Sequence, residues 1–451
     1  MGEPTDRLGN PGDVHRITDV GDGLRVVTER VPGVRSVALG AWVGTGSRHE
    51  NDQSRGYAHF LEHLLFKGND RIDAAGISRY FDGIGSDANA ATTREYTAVH
   101  ARVLDRHVGD SLGVLGEMLL APAILEGDLD AEREVILEEI AMYEDSPSDV
   151  VHEMADELVF PGHALGLPIV GTTQSIEAAT AADMLRFHAH HYRPDNLVIS
   201  AAGALDHDEF VATVRERFLT AGARAVAVPP AGLDSTSAHR QPAPHTPVAR
   251  LRQKDTEQVH VVLAGRGISR ADDRRYAAAI LDMILGNAPS SRLFLEIREL
   301  RGLAYSVYSY FSNHADSGEV GLYVGVRPDR VATVFEVVRA ELDRIISEPP
   351  TVAEIDLAKG HLEGRMLLSL ESTVVRGNRL GASLVTHMPI ESLETSVNRM
   401  RAVTADDLLA LAQEVFDPSV LSLAVVADDV EAVRTAAADN GLLPDAVEVS
   451  A

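Results

Sequence analysis

The chain repeats itself. Tyr57-Ala58 opens one helical stretch and Tyr276-Ala277 opens another, 276 − 57 = 219 residues later. Thr180-Ala181-Ala182-Asp183-Met184 returns as Thr404-Ala405-Asp406-Asp407-Leu408, at 404 − 180 = 224. Tyr192-Arg193-Pro194 returns as Phe416-Asp417-Pro418, again at 416 − 192 = 224. A nearly constant offset over most of a half-length marks a duplicated domain of about 200–220 residues. Between the copies, Pro229, Pro230, Pro242, Pro244 and Pro247 stand among small and polar residues, which is linker chemistry. The expected organisation is a domain over 1–222, a Pro-rich linker over 223–248 and a second domain over 249–451.

Within the first copy, Leu24–Arg30 and Ser36–Val43 read as strands around the turn Pro32-Gly33, and a helical stretch follows from Tyr57. In the second, Gln258–Ala264 reads as a strand before the helix at Tyr276. Strands then give way to clustered helices, which predicts sheets covered by helices rather than a sandwich or a bundle. Strand order does not follow from these patterns.

Charge and composition narrow the function. Lys plus Arg total 41 against 68 Asp plus Glu, a net charge of −27. So acidic a chain is a poor partner for nucleic acid or an anionic membrane. With no cysteine, disulfides, thiol catalysis and Cys-type metal sites are excluded. The start, MGEPTDRLGNPGD, lacks a basic-then-apolar pattern, and no run approaches 18 apolar residues. A soluble, cytoplasmic protein is the expectation.

The chemistry concentrates at His59-x-x-Glu62-His63. Two imidazoles four apart lie on one helix face and can grip one tetrahedral metal. Glu62 borders that face and can reach a water at the metal without being a ligand; the pattern is H-x-x-E-H. Random placement of the 18 histidines gives about 0.05 such matches in a chain of this length, so the signal is specific. Phe60, Leu61, Leu64 and Leu65 draw the helix into a core, and the polar groups beside them need partners. A third ligand belongs on the helix Asp130–Tyr143. At about 100° per residue, Glu132 and Glu139 sit about 20° apart, on the stripe of Val135, Ile136, Ile140 and Tyr143. Glu134 and Glu138 point away. Two inward carboxylates suggest one ligand and one helper.

The string Gly56-Tyr-Ala-His-Phe-Leu-Glu-His-Leu-Leu-Phe-Lys-Gly68 resembles the zinc helix of the pitrilysin/insulinase family of zinc metallopeptidases. The half-length branch, with mitochondrial processing peptidase and its bacterial relatives, is the nearest likeness. The resemblance implies zinc on His59, His63 and Glu139, with Glu62 as the base and Glu132 supporting the ligands. It implies an α+β fold of two homologous domains, each a mostly antiparallel sheet covered by helices. Asn89-Ala90-Ala91-Thr92 is similar to the family's N-A-x-T edge strand, so Asn89 and Ala90 are expected to bind an extended peptide by strand addition. Arg298 and Tyr305, seven apart, resemble a pair that contacts substrate. Gly166-Leu167-Pro168-Ile169-Val170-Gly171-Thr172 is similar to a structural loop of the family.

The second copy departs from the first. Ala278, Leu281 and Asp282 stand where the first copy has His59, Glu62 and His63, so it cannot bind metal that way. One zinc per chain is expected. The segment Gly286–Leu293 is poorer in glycine than the family's loop, which argues against the specialised recognition loop of the mitochondrial heterodimer. Phe187-His188-Ala189-His190-His191-Tyr192 looks like a metal tract but reads as structural, and Gly44-x-Gly46 lacks the third glycine of a dinucleotide site. The resulting expectation is a zinc endopeptidase of peptides or unfolded segments, working in a dimeric chamber. By analogy with four-domain members, Arg298 and Tyr305 would act on the partner's site in a homodimer. A non-catalytic or heterodimer-dependent subunit of the same fold is the alternative.

Overall fold

Apolar runs buried on both faces become the central strands of two six-stranded mixed sheets. A computed structural model describes residues 15–222 and 242–450. Residues 1–14 and residues 223–241 of the Pro-rich segment lie outside the described residues. The first sheet uses β1 (His15–Gly21), β2 (Leu24–Arg30), β3 (Ser36–Val43), β4 (Ala88–Thr92), β5 (Thr97–Leu104) and β6 (Leu197–Gly203). Its order is β1-β2-β6-β3-β5-β4, antiparallel except for β2 against β6. The second uses β7 (Val248–Gln253), β8 (Val259–Gly267), β9 (Ala304–Asn313), β10 (Gly318–Val326), β11 (Ser422–Ala427) and β12 (Ala446–Ser450), ordered β12-β7-β11-β8-β10-β9. Here β7 lies parallel to both β11 and β12, and the other pairs are antiparallel.

The duplication is therefore structural. Strands β2, β6, β3, β5 and β4 correspond in order to β7, β11, β8, β10 and β9. The outermost strands do not correspond: β1 precedes β2 in an antiparallel hairpin, whereas β12 arrives from the far end of the chain and lies parallel.

The described residues form two compact units, the first with 15–140, 168–222 and 367–392, the second with 141–167, 242–366 and 393–450. These units differ from the contiguous domains expected from sequence. Helix Pro147–Val159 belongs to the second unit and helix Thr373–Val385 to the first, and the two are counterparts in the repeat, 373 − 147 = 226 residues apart. The reason is apolar burial. One face of the first sheet packs on the helices of its own half through Val26, Leu39, Val99 and Ile199. Its other face carries Val27, Trp42, Ala98 and Val198, which Leu380 and Val385 cover. In the second unit, Val150, Val151, Met154 and Leu158 cover Val262, Ala264, Tyr323 and Val426 in the same way.

Small residues permit the close approach. A Cβ at Gly381 would stand 2.0 Å from Trp42 Nε1, so only glycine fits there. Trp42 donates to Ser200 Oγ at 2.8 Å, and Arg376 of the same helix ion-pairs with Glu29, a carboxylate only 1% exposed. Among the described residues, no helix is long and apolar enough to cross a membrane.

Candidate metal centre

Tyr57, Ala58, Phe60, Leu61, Leu64 and Leu65 are all buried, and together they fix the rotation of helix Tyr57–Leu65. That leaves His59, Glu62 and His63 half-buried on the remaining face. The helix start is held firmly. Gly56 takes φ +83°, and a Cβ there would meet the Val170 carbonyl oxygen at 2.6 Å and Gly171 Cα at 2.9 Å. The loop Gly166–Thr172 thus packs on the helix start, as its structural reading expected. Buried Glu50 accepts from Gly56 N at 2.8 Å and Ala58 N at 2.7 Å, satisfying donors that a helix start leaves free. Burial pushes the Glu50 carboxyl up to about 8, against the pull of those two donors.

Helix Glu126–Asp145 supplies the carboxylates. Glu139 approaches His59 Nε2 at 3.6 Å and His63 Nε2 at 3.9 Å. One ligand atom from each of the three lies within 4.8 Å of the others. Tetrahedral zinc with bonds of about 2.0–2.2 Å sets its ligands roughly 3.3–3.6 Å apart, so the donors need only a small contraction. Among the described residues, this is the one group of three or more such side chains that could hold a metal ion.

The electrostatics suit a metal. Burial, then the neighbouring His63, depress the His59 imidazole to about 4, which keeps it neutral and its lone pair available. Glu132 Oε2 lies 2.8 Å from His63 Nδ1, which points Nε2 of the ring at the centre. Lys67 ion-pairs with Glu132 in turn. Burial works to raise the Glu132 carboxyl, but hydrogen bonds from Lys67 and His63 outweigh it and hold the group below its usual range. Burial raises the Glu62 carboxyl, opposed chiefly by the Thr92 hydroxyl.

The structure brings His59, Glu62, His63, Glu132 and Glu139 together in the first unit. Asn89 and Ala90 lie on β4, the edge strand of that sheet, whose last residue, Thr92, touches Glu62. The stripe expected on the carboxylate helix is only partly buried. Ile136 is in the core, but Val135 and Tyr143 are 44% and 43% exposed, because the face around Glu139 opens to solvent. Arg298 and Tyr305 form a pair within the second unit. Arg298 lies in a π-helical turn, Phe294–Leu300, stacks between Phe294 and Tyr305 and donates to the Tyr305 carbonyl at 3.1 Å. Tyr305 is 76% exposed.

The second copy's counterparts of the motif, and His188 and His191 of the histidine tract, have structural partners. Asp282, the counterpart of His63, is buried and accepts from Ser309 Oγ at 2.5 Å and Asn287 Nδ2 at 2.7 Å, while Ala278 and Leu281 pack in the core. His188 Nε2 bonds the Leu119 carbonyl, and His191 Nδ1 pairs with Thr45 Oγ1. Sequence reasoning missed Lys67, Glu50 and the Thr92 contact. Only Lys67, four residues after His63, carried a signal.

Comparison with known proteins gives the family. Residues 25–173 match the family described as Insulinase (Peptidase family M16), and residues 178–362 match the Peptidase M16 inactive domain. An uncharacterized zinc protease of Streptomyces coelicolor is 43% identical over 404 residues, spanning 90% of this chain and 87% of the relative. The chain belongs to peptidase family M16. The uncharacterized zinc protease YmxG of Bacillus subtilis is 38% identical over 396 residues, covering 88% of this chain and 94% of its own. Relatives of nearly equal length make this an M16 chain of the half-length kind. A protease from Helicobacter pylori has the same fold, with a TM-score of 0.85 at 20% identity over 92% of this chain and 99% of the other. The match to the inactive domain spans Ala278, Leu281 and Asp282, where the second copy has no metal ligands.

Proposed function

We propose that this M16 chain is a zinc-dependent endopeptidase acting on peptides or unfolded polypeptide segments. The observation that carries the reading is the convergence of His59, His63 and Glu139 beside a half-buried carboxylate, Glu62, that stands outside that ligand set. The donors fit zinc in type, number and spacing, and the face beyond Glu139 is open for a substrate. Zinc bound there would supply Lewis acidity, polarising the scissile carbonyl and easing deprotonation of the attacking water.

The chain's own residues do the rest. Glu62 takes the proton of the attacking water and returns it to the leaving nitrogen. Glu132, backed by Lys67, holds His63 in one tautomer and orientation. The edge strand β4, through Asn89 and Ala90, receives an extended peptide by strand addition, which selects unfolded segments over folded ones. Arg298 and Tyr305 hold substrate or the developing oxyanion. The working form is a cytoplasmic homodimer with one zinc per chain and its sites enclosed in a chamber. A complete ligand set speaks against a non-catalytic subunit.

The test compares peptide cleavage by wild type, by wild type with chelator and by Glu62→Gln. Cleavage that stops on chelation, returns with zinc and is lost in a zinc-loaded Glu62→Gln protein supports the reading. Near-wild-type turnover by that variant refutes it.

A further inference from the structure

The base of a hydrolytic site must aim one oxygen, and a glutamate with free torsions does not aim itself. Glu62 is the middle residue of the motif, and no intrahelical partner holds its carboxylate. The Thr92 hydroxyl lies 2.5 Å from Glu62 Oε2. Among the described residues no other side chain donates to this carboxylate, and the Thr92 backbone N–H adds to the same hold.

The direction of the Thr92 proton is settled by its neighbours. Thr97, directly across the hairpin from Thr92, stands 3.3 Å away, but its own hydroxyl donates to the Thr45 carbonyl at 3.0 Å. With its proton committed to Thr45, Thr97 can only accept from Thr92, and at 3.3 Å it is the poorer acceptor beside Glu62 Oε2 at 2.5 Å. The Ala58 carbonyl, at 3.5 Å, is a marginal acceptor beside a carboxylate oxygen at 2.5 Å. Thr97 is 1% exposed, so this end of the hairpin is fixed in the interior.

We infer that Thr92 is a positioning residue for the general base. It ties one carboxylate oxygen of Glu62 to the end of strand β4 and leaves the other for the reacting water. This rests on the peptidase reading and deepens it. The tie comes from the strand that would receive the substrate backbone, so the element that registers the peptide also registers the base. A peptide added at Asn89 and Ala90 stiffens β4 two residues from Thr92, and the base is aimed when substrate is in place.

The test uses zinc-loaded wild type, Thr92→Val and Thr92→Ser on an internally quenched peptide, with zinc content measured for each. Valine keeps the shape and removes the donor; serine keeps the donor. Misplacing a reacting group by about 1 Å costs on the order of 10²-fold, so Thr92→Val should lose roughly 10- to 100-fold in kcat with KM within about twofold. Thr92→Ser should recover most of the loss, and zinc content should be unchanged in both. Crystal structures should show the Glu62 carboxylate rotated in Thr92→Val and in place in Thr92→Ser. Wild-type kcat in Thr92→Val, a serine variant no better than valine, or an unmoved Glu62 in the valine variant overturns the inference alone. A zinc-loaded wild-type protein that cleaves no peptide overturns the peptidase reading, and this inference with it.

Discussion

Replacing Glu132 should weaken zinc binding without touching a ligand. Its Oε2 stands 2.8 Å from His63 Nδ1, and Lys67 neutralises the same carboxylate. Glu132→Ala removes the partner that selects the His63 tautomer and leaves Lys67 beside the centre with its charge uncompensated. Outer partners of metal-bound histidines are worth about 10- to 100-fold in affinity, or roughly 1.4–2.7 kcal/mol. This one should reach the upper part of that range, because two effects act together: a ring free to turn and a cation that has lost its counter-charge. Glu132→Gln keeps an acceptor for Nδ1–H and should lose nearer tenfold. Competition against a chromophoric chelator measures both affinities, and circular dichroism checks the fold. Wild-type affinity in Glu132→Ala would show that His63 is oriented by packing alone and that Glu132 has no part in the centre.

Three further outcomes follow. Gly381→Ala should destabilise the protein by about 1–3 kcal/mol by overpacking, although alanine in a helix interior is ordinarily the better residue by about 1 kcal/mol. Trp42, the only tryptophan, should report the displaced helix by fluorescence, and an unchanged melting temperature would contradict the packing. In the second unit, burial raises the Glu354 carboxyl, but Arg292 and Thr351 outweigh it and hold it down to about 2. Its stabilising contribution is present above the unfolded carboxylate range and is lost as pH falls from there towards about 2, so Glu354→Gln should flatten the acid side of the stability profile across that window. Finally, mixing inactive Glu62→Gln with inactive Arg298→Ala should restore roughly a quarter of wild-type activity if subunits exchange and the sites are shared, since about half the dimers are mixed and each has one intact site. Verified exchange with no recovery would sink the shared-site arrangement and leave the zinc chemistry untouched.

The candidate metal centre was legible because its chemistry is local. Four-residue spacing brings His59 and His63 to one face, and seven-residue spacing brings Glu132 and Glu139 to another. The carboxylate pair alone did not say which was the ligand; resemblance to the family separated them, and the structure places Glu139 near both Nε2 atoms. The duplication was legible as a constant offset, and the strand correspondence bears it out. The crossing of helices Pro147–Val159 and Thr373–Val385 was not. Each carries an apolar stripe that suits the outer face of either sheet, and nothing in a stripe names its partner. The real determinants are paired features far apart in sequence, such as Gly381 against Trp42 or Arg376 against Glu29. The outermost strands were hidden for a similar reason: β12 is short and exposed along its length, so no buried stripe ties it to a sheet. Thr92 looked like an ordinary strand residue because its partner lies 30 residues earlier, on a helix.

The central claim is a single zinc held by His59, His63 and Glu139. Elemental analysis of the purified, zinc-equilibrated protein, alongside His63→Ala, tests it most directly. The account predicts one zinc per chain in wild type and loss of that zinc in His63→Ala, because the two remaining protein ligands hold the metal poorly. Two zinc ions per chain, or full zinc content in His63→Ala, would contradict it.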